Sequence, residues 1–142
     1  MAVKQALAAG AVLALGVSAA AFAAQGGSGA EPVVTHHMAA AGKGDVAAIM
    51  RDYADDAVMI VSGKVYRGKP AIEGVFKALL SDSARAPLVT NQKVYEGGIG
   101  YLLWTQKAPK GGEIHGSDTF VVRDGKIHAQ TVAMATVPTA KP

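Results

Sequence analysis

Glu113-Ile114-His115-Gly116-Ser117-Asp118-Thr119-Phe120-Val121-Val122-Arg123-Asp124-Gly125-Lys126-Ile127 is the stretch that decides the fold. Side chains alternate between the two faces of a strand. Ile114, Gly116, Asp118, Phe120 and Val122 therefore share one face, which is apolar except for Asp118. His115, Ser117, Thr119, Val121 and Arg123 form a mostly polar opposite face. Such a strand lays one side on a core and shows the other to water. Asp124-Gly125 is a two-residue hairpin turn, and Ile127 to Ala135 is the returning strand. Upstream, Leu88 to Tyr95 and Ile99 to Gln106 are further strands, with turns at Gly97-Gly98 and Lys107 to Gly112. Short connections of this kind predict an antiparallel sheet.

The half before these strands reads as helical. Glu31-Pro32 opens a helix whose Val34, Met38 and Ala41, with His37 beside them, recur at helical spacing, and Gly42 and Gly44 end it. Asp45 is an N-cap for a short helix with Val46, Ile49, Met50 and Tyr53 on its apolar stripe. Asp55-Asp56 breaks that helix, Val58 to Val61 reads as a strand, and Ser62-Gly63-Lys64 turns into a partner at Val65 to Arg67. Gly68-Lys69-Pro70 opens a third helix carrying Ile72, Val75, Phe76, Leu79 and Leu80 on one face. Helices followed by a meander give an α+β domain with the helices on one face of a curved sheet.

The N-terminus has a different logic. Lys4 precedes an apolar run from Ala6 to Ala20, and Ala21-Phe22-Ala23 places small residues where a signal peptidase reads them. This pattern predicts a cleavable secretory signal over residues 1–23 and a periplasmic or secreted protein with no stable membrane insertion after cleavage. Residues 24–30 form a flexible Gly-rich linker, 31–137 the domain, and 138–142 a disordered tail. Loss of Lys4 takes 14 basic residues to 13 against 11 acidic, a mature net charge of +2. The basic residues are scattered, which argues against nucleic-acid binding. With no cysteine in the chain, disulfides, thiol nucleophiles and Cys-ligated zinc are excluded.

Few residues carry chemistry. Asp118 on an apolar face is costly to ionise, so its pKa should rise. Such an acid either donates a hydrogen bond to a ligand oxygen or is a structural group satisfied by buried partners. His37, between Val34 and Ala41, is either a core histidine bonded to a carbonyl or a titrating group lining a cavity. His36 and His37 diverge by about 100° on a helix and do not form a metal pair. His115 and His128 have no chelating spacing, so neither a metal nor another cofactor is expected. Trp104 lies on a strand apolar on both faces, and core and ligand-platform roles both remain open for it, as for Tyr53.

Gly44-Asp45-Val46-Ala47-Ala48-Ile49-Met50, Tyr53-Ala54-Asp55-Asp56-Ala57-Val58 and Tyr66-Arg67-Gly68-Lys69-Pro70-Ala71-Ile72, with the hairpin quoted first, resemble the nuclear transport factor 2-like superfamily. Within it the chain is most similar to the SnoaL-like and ketosteroid-isomerase-like branch. The resemblance implies a cone: a bent antiparallel sheet wrapped on about three helices, enclosing a pocket, often in a homodimer. It implies that Asp118 matches the pocket acid that stays protonated in ketosteroid isomerase, with Tyr53 as its supporting tyrosine. His37 falls where that enzyme has its principal oxyanion tyrosine, and Leu102, Trp104, Gln130 and Met134 fall on wall positions. Two departures stand out. Val61 falls where the general-base carboxylate belongs, and Phe76 where a third tyrosine belongs, so steroid isomerisation by that mechanism is not expected.

The expectation for function is an exported, dimeric pocket protein that binds a small, largely apolar molecule bearing a carbonyl or hydroxyl. His37 and Asp118 would orient that molecule and Tyr53, Phe76, Leu102, Trp104, Gln130 and Met134 would surround it. A proton-transfer enzyme of isomerase, lyase or cyclase type, with His37 as base and Asp118 as acid, is the second expectation. A non-catalytic assembly module with a closed cavity is the third.

Overall fold

The structure, a computed structural model, describes residues 29–81 and 85–138. The predicted signal, most of the linker and all of the tail beyond Pro138 lie outside the described residues. Three helices come first: α1 (Ala30–Lys43), α2 (Val46–Asp52) and, after a hairpin, α3 (Lys69–Leu80). The strands are β1 (Tyr53–Val61), β2 (Lys64–Arg67), β3 (Val89–Glu96), β4 (Ile99–Lys107), β5 (Glu113–Arg123) and β6 (Lys126–Val137). They form one six-stranded sheet in the order β2-β1-β6-β5-β4-β3. No described helix is long and apolar enough to cross a membrane.

Local chemistry explains the helix ends. The Asp45 side chain accepts from the Ala48 N–H at 2.8 Å and so caps α2. Pro70 sits in the first turn of α3, where its missing N–H costs nothing. Glu31 in the first turn of α1 and Lys43 in its last complement the helix dipole. Ala30, assigned from sequence to the linker, already belongs to α1. It is fully buried, and its N–H donates to the Gly97 carbonyl at 2.8 Å, which ties the helix start to the β3–β4 turn.

The four C-terminal strands form the expected antiparallel meander. β1 differs: it joins β6 in parallel, Met59 opposite Gln130 and Val61 opposite Val132. α3 and the meander separate β1 from β6 in sequence, and a connection that long permits parallel pairing. β1 also starts earlier than its pattern suggested. Tyr53 is the first residue of the strand, not the last of the α2 stripe, and Asp55 and Asp56 lie within β1 at a register shift between Tyr53 and Val58. A bulge of this kind lets two exposed acids sit in a strand whose next residue, Ala57, is buried.

The core lies between the helices and the concave sheet face. Ile49, Ile72, Leu102, Phe120 and Ile127 are fully buried there, each stabilising the fold by roughly 1.5–3 kcal/mol. Along β5 the side chains Asp118, Phe120 and Val122 are buried, with Val121 and Arg123 exposed, which is the alternation expected from the sequence. Leu79, placed on the inner stripe of α3, is 45% exposed because it stands near the open end of the layer. Gly100 lets α1 approach β4: a Cβ there would stand 3.0 Å from Val34 Cγ2.

Candidate functional site

An apolar cavity of about 190 Å³ opens between α1, α3 and the sheet. It has a deep end and a rim, and both follow from strand register. Asp118 on β5 lies between Leu102 on β4 and Val132 on β6. Four residues nearer the start of β5, Ile114 lies opposite Gln106, toward the rim. His37, Phe76, Asp118 and Gln130 at the deep end are all buried, whereas Leu79, Arg85, Gln106, Ile114 and Met134 keep more solvent contact.

At the deep end the polar groups form a chain. The Tyr53 hydroxyl donates to Gln130 Oε1, and Gln130 Nε2 donates to Asp118 Oδ2 at 3.4 Å. Trp104 Nε1 donates to Asp118 Oδ1, also at 3.4 Å. Both bonds to the carboxyl favour its ionised form, but burial outweighs them and raises its pKa to about 6. At pH 7 the carboxylate therefore exceeds the acid by roughly ten to one, and further loss of water moves the ratio toward the acid. Burial raises the Tyr53 hydroxyl well above its ordinary value, so it stays a donor.

Trp104 owes its position to Gly116. The two are cross-strand neighbours, and the indole ring lies over Gly116 where any Cβ would overlap it. With the ring held against that glycine, its N–H reaches Asp118 and the side chain forms part of the cavity wall.

His37 lines the same cavity from α1. Its ring meets Tyr53, Phe76 and Phe120 edge-on, with centroids 5.6, 5.5 and 5.3 Å away. Burial, helped by the neighbouring His36, lowers its pKa to about 4, so the imidazole is neutral at pH 7. Its Nδ1 is buried with no hydrogen-bond partner among the described residues. Asp52, at the end of α2, comes within 4.0 Å of that nitrogen, but its carboxylate is engaged by His36 Nδ1 at 2.8 and 3.0 Å. Among the described residues no carbonyl accepts from the His37 ring, so the carbonyl-bonded core histidine is not what they show.

Of the eight residues singled out from sequence, His37, Phe76, Trp104, Asp118, Gln130 and Met134 line the cavity. Tyr53 and Leu102 do not. Both are fully buried; Tyr53 stands one layer behind Gln130, and Leu102 fills the core under the helices. Sequence reasoning missed Gln106, although it follows Leu102 and Trp104 at the same period-2 spacing. It also missed Met59, the inward residue after Ala57 on β1, and Arg85. Arg85 lies between α3 and β3, where no periodicity points at it. From β1 it is Met59, not Val61, that reaches the wall, and Asp118 is the only carboxylate among the described lining residues. No group of three or more His, Asp or Glu side chains suited to a metal occurs among the described residues.

Residues 34–130 match the SnoaL-like domain. The chain belongs to the SnoaL-like domain family. No curated protein matches it in sequence. Among solved structures, an NTF2-like protein of unknown function from Mesorhizobium loti superposes with a TM-score of 0.69 at 15% identity, over 75% of this chain and 90% of that one. A protein with a cystatin-like fold from Methylobium petroleophilum gives 0.63 at 16% identity, over 78% of each chain. A steroid delta-isomerase from Pseudomonas aeruginosa gives 0.66 at 18% identity, over 76% and 80%. At these identities the likeness is one of fold, and what a SnoaL-like domain does is decided by the side chains in its cavity.

Proposed function

We propose that this SnoaL-like domain binds a small, largely apolar molecule and holds a carbonyl or hydroxyl of it at Asp118. The carrying observation is a carboxyl group raised to about 6 at the closed end of an apolar cavity. An apolar ligand filling the cavity displaces the remaining water, raises that pKa further and makes Asp118 a proton donor to the ligand oxygen. The N-terminal charged, apolar and small-residue pattern supports export. Val94, Ile99 and Val121, exposed on the outer sheet face, support a homodimer formed there.

Size narrows the ligand. A dry cavity of about 150 Å³ takes a benzene molecule, so a slightly larger one suits a single substituted ring better than a fused four-ring skeleton. The test is a thermal-shift comparison of small cyclic ketones with the hydrocarbons of the same shape. The ketones should stabilise the protein more, and Asp118→Ala should remove that advantage, weakening ketone affinity about tenfold for one lost hydrogen bond. Equal shifts for ketone and hydrocarbon, or an advantage that survives Asp118→Ala, would contradict the assignment.

A second reading, proton-transfer catalysis in the same cavity, is favoured by a buried His37 with an unpartnered Nδ1 that lines the cavity together with Asp118. With His37 at about 4 and Asp118 at about 6, the roles suggested by sequence reverse. The group poised near neutral pH is the carboxylate, which suits it as base, and the neutral imidazole is the hydrogen-bond donor.

A further inference from the structure

The rim of the cavity carries a feature that a merely apolar ligand would not need. Arg85 lines it, and is the only Lys or Arg among the described lining residues. Its place is fixed from two sides. The guanidinium donates to the Ala41 carbonyl at 3.3 Å, one helical turn beyond His37 on α1. The adjoining Ala86 carbonyl accepts from Gln106 Nε2, across the sheet from Ile114. Arg85 is therefore at the opposite end of the cavity from Asp118. Ile114 and Asp118 are four residues apart on β5, about 13 Å along the strand, and the Arg85 side chain takes up part of that span.

Between the two ends, at the level of Gly116, stand Trp104 and Met134, and Met38, Met59, Phe76 and Val132 make the rest of the wall largely apolar. The pattern along the long axis is thus hydrogen-bonding group, greasy middle, cation. A guanidinium offers five donors, of which the bond to Ala41 takes one, in a fork that matches a carboxylate. A phosphate ester would ask for more positive charge or a helix N-terminus aimed at the rim, and the described lining residues supply one cation.

Building on the pocket reading above, we propose that the ligand is a monocarboxylic acid, its carboxylate on Arg85 at the rim and its carbonyl or hydroxyl on Asp118 at the deep end. The acid's anionic end stays in partial contact with water, which keeps its desolvation small, and its body fills the dry middle. Orientation follows from charge. The reverse pose would place two carboxyl groups against each other at the closed end.

Calorimetric titration of the whole protein with 4-acetylbenzoate and with 4-acetylbenzamide tests this. The two probes share shape and ketone and differ only in the charge at one end. The acid should bind at least tenfold more tightly than the amide, and added salt should narrow the gap. Arg85→Gln should bring the two within about threefold of each other by weakening the acid alone, and Arg85→Lys should keep part of the preference. Amide binding that survives in Arg85→Gln shows that the variant's cavity is intact. An acid no tighter than the amide, or a preference that persists in Arg85→Gln, would overturn the role of Arg85 and leave the pocket reading standing. If neither probe bound, both would fall.

Discussion

Asp118→Asn should uncover a pH dependence of stability that the native protein conceals. Asp118 moves from an ordinary 3.8 to about 6 on folding, so the folded state holds its proton more tightly. That contribution is complete below pH 4 and is lost as pH rises through about 6. Two units amount to about 3 kcal/mol. His37 acts with the opposite sign. Its pKa falls from 6.5 to about 4, so its contribution is complete above pH 6.5 and is lost as pH falls through about 4, again about 3 kcal/mol. The two slopes oppose each other over the same window. Urea unfolding at a series of pH values should therefore give a rather flat profile for the native protein. Asp118→Asn should rise in stability from pH 4 to 6.5, and His37→Phe, which keeps a ring among Tyr53, Phe76 and Phe120, should fall. Parallel profiles for all three proteins would show that neither group is buried as described.

The second large effect belongs to a glycine. Gly116→Ala puts a methyl group where the Trp104 ring lies. The methyl is held by the β5 backbone, which is paired on both sides, so the indole has to move. The only space is the cavity. Overpacking of this kind costs roughly 1–3 kcal/mol, and the displaced ring loses its bond to Asp118 and fills volume meant for ligand. Stability should fall by that amount, ketone affinity should fall more than tenfold, and the Asp118 pKa should climb because one bond favouring the anion is gone. Trp104 is the only tryptophan in the chain, so its fluorescence reports the displacement directly. An emission spectrum and affinity unchanged in Gly116→Ala would mean that the ring is not held against that glycine.

The inner face of β5 was legible because period-2 alternation is unambiguous when one side is apolar and the other polar. Asp118 stood out for the same reason, as one acid in an otherwise greasy row. Trp104 was not resolved by that logic, since β4 is apolar on both faces. Its orientation comes from the pairing with Gly116, and cross-strand register is a tertiary fact. Tyr53 misled for a related reason: it continues the helical spacing of Val46, Ile49 and Met50, but the chain straightens one residue earlier to pair with β6. The parallel β1–β6 ladder left no local trace, because each strand alone looks the same whichever way its neighbour runs. Arg85 was invisible in the sequence, being an ordinary basic residue between two elements, where its place depends on contacts of Arg85 and Ala86 with Ala41 and Gln106.

Gly116 shows what tighter reading can recover. A glycine on the inner face of a central strand leaves room for something large opposite it, and the only large side chain on the facing strand near that level is Trp104. The sequence thus contained the clue to the aromatic wall, although not the register needed to use it.

Whether the innermost acid of β5 exchanges its proton at near-neutral pH decides what the cavity can do. Carbon-13 detection of the Asp118 side-chain carboxyl, assigned by its loss in Asp118→Asn, measures this without any ligand. A midpoint near 6 that moves upward when a cyclic ketone is added is the predicted result. A midpoint near 4, unmoved by ketone, would mean that the carboxyl is solvated like any surface aspartate and that the cavity has no proton to offer.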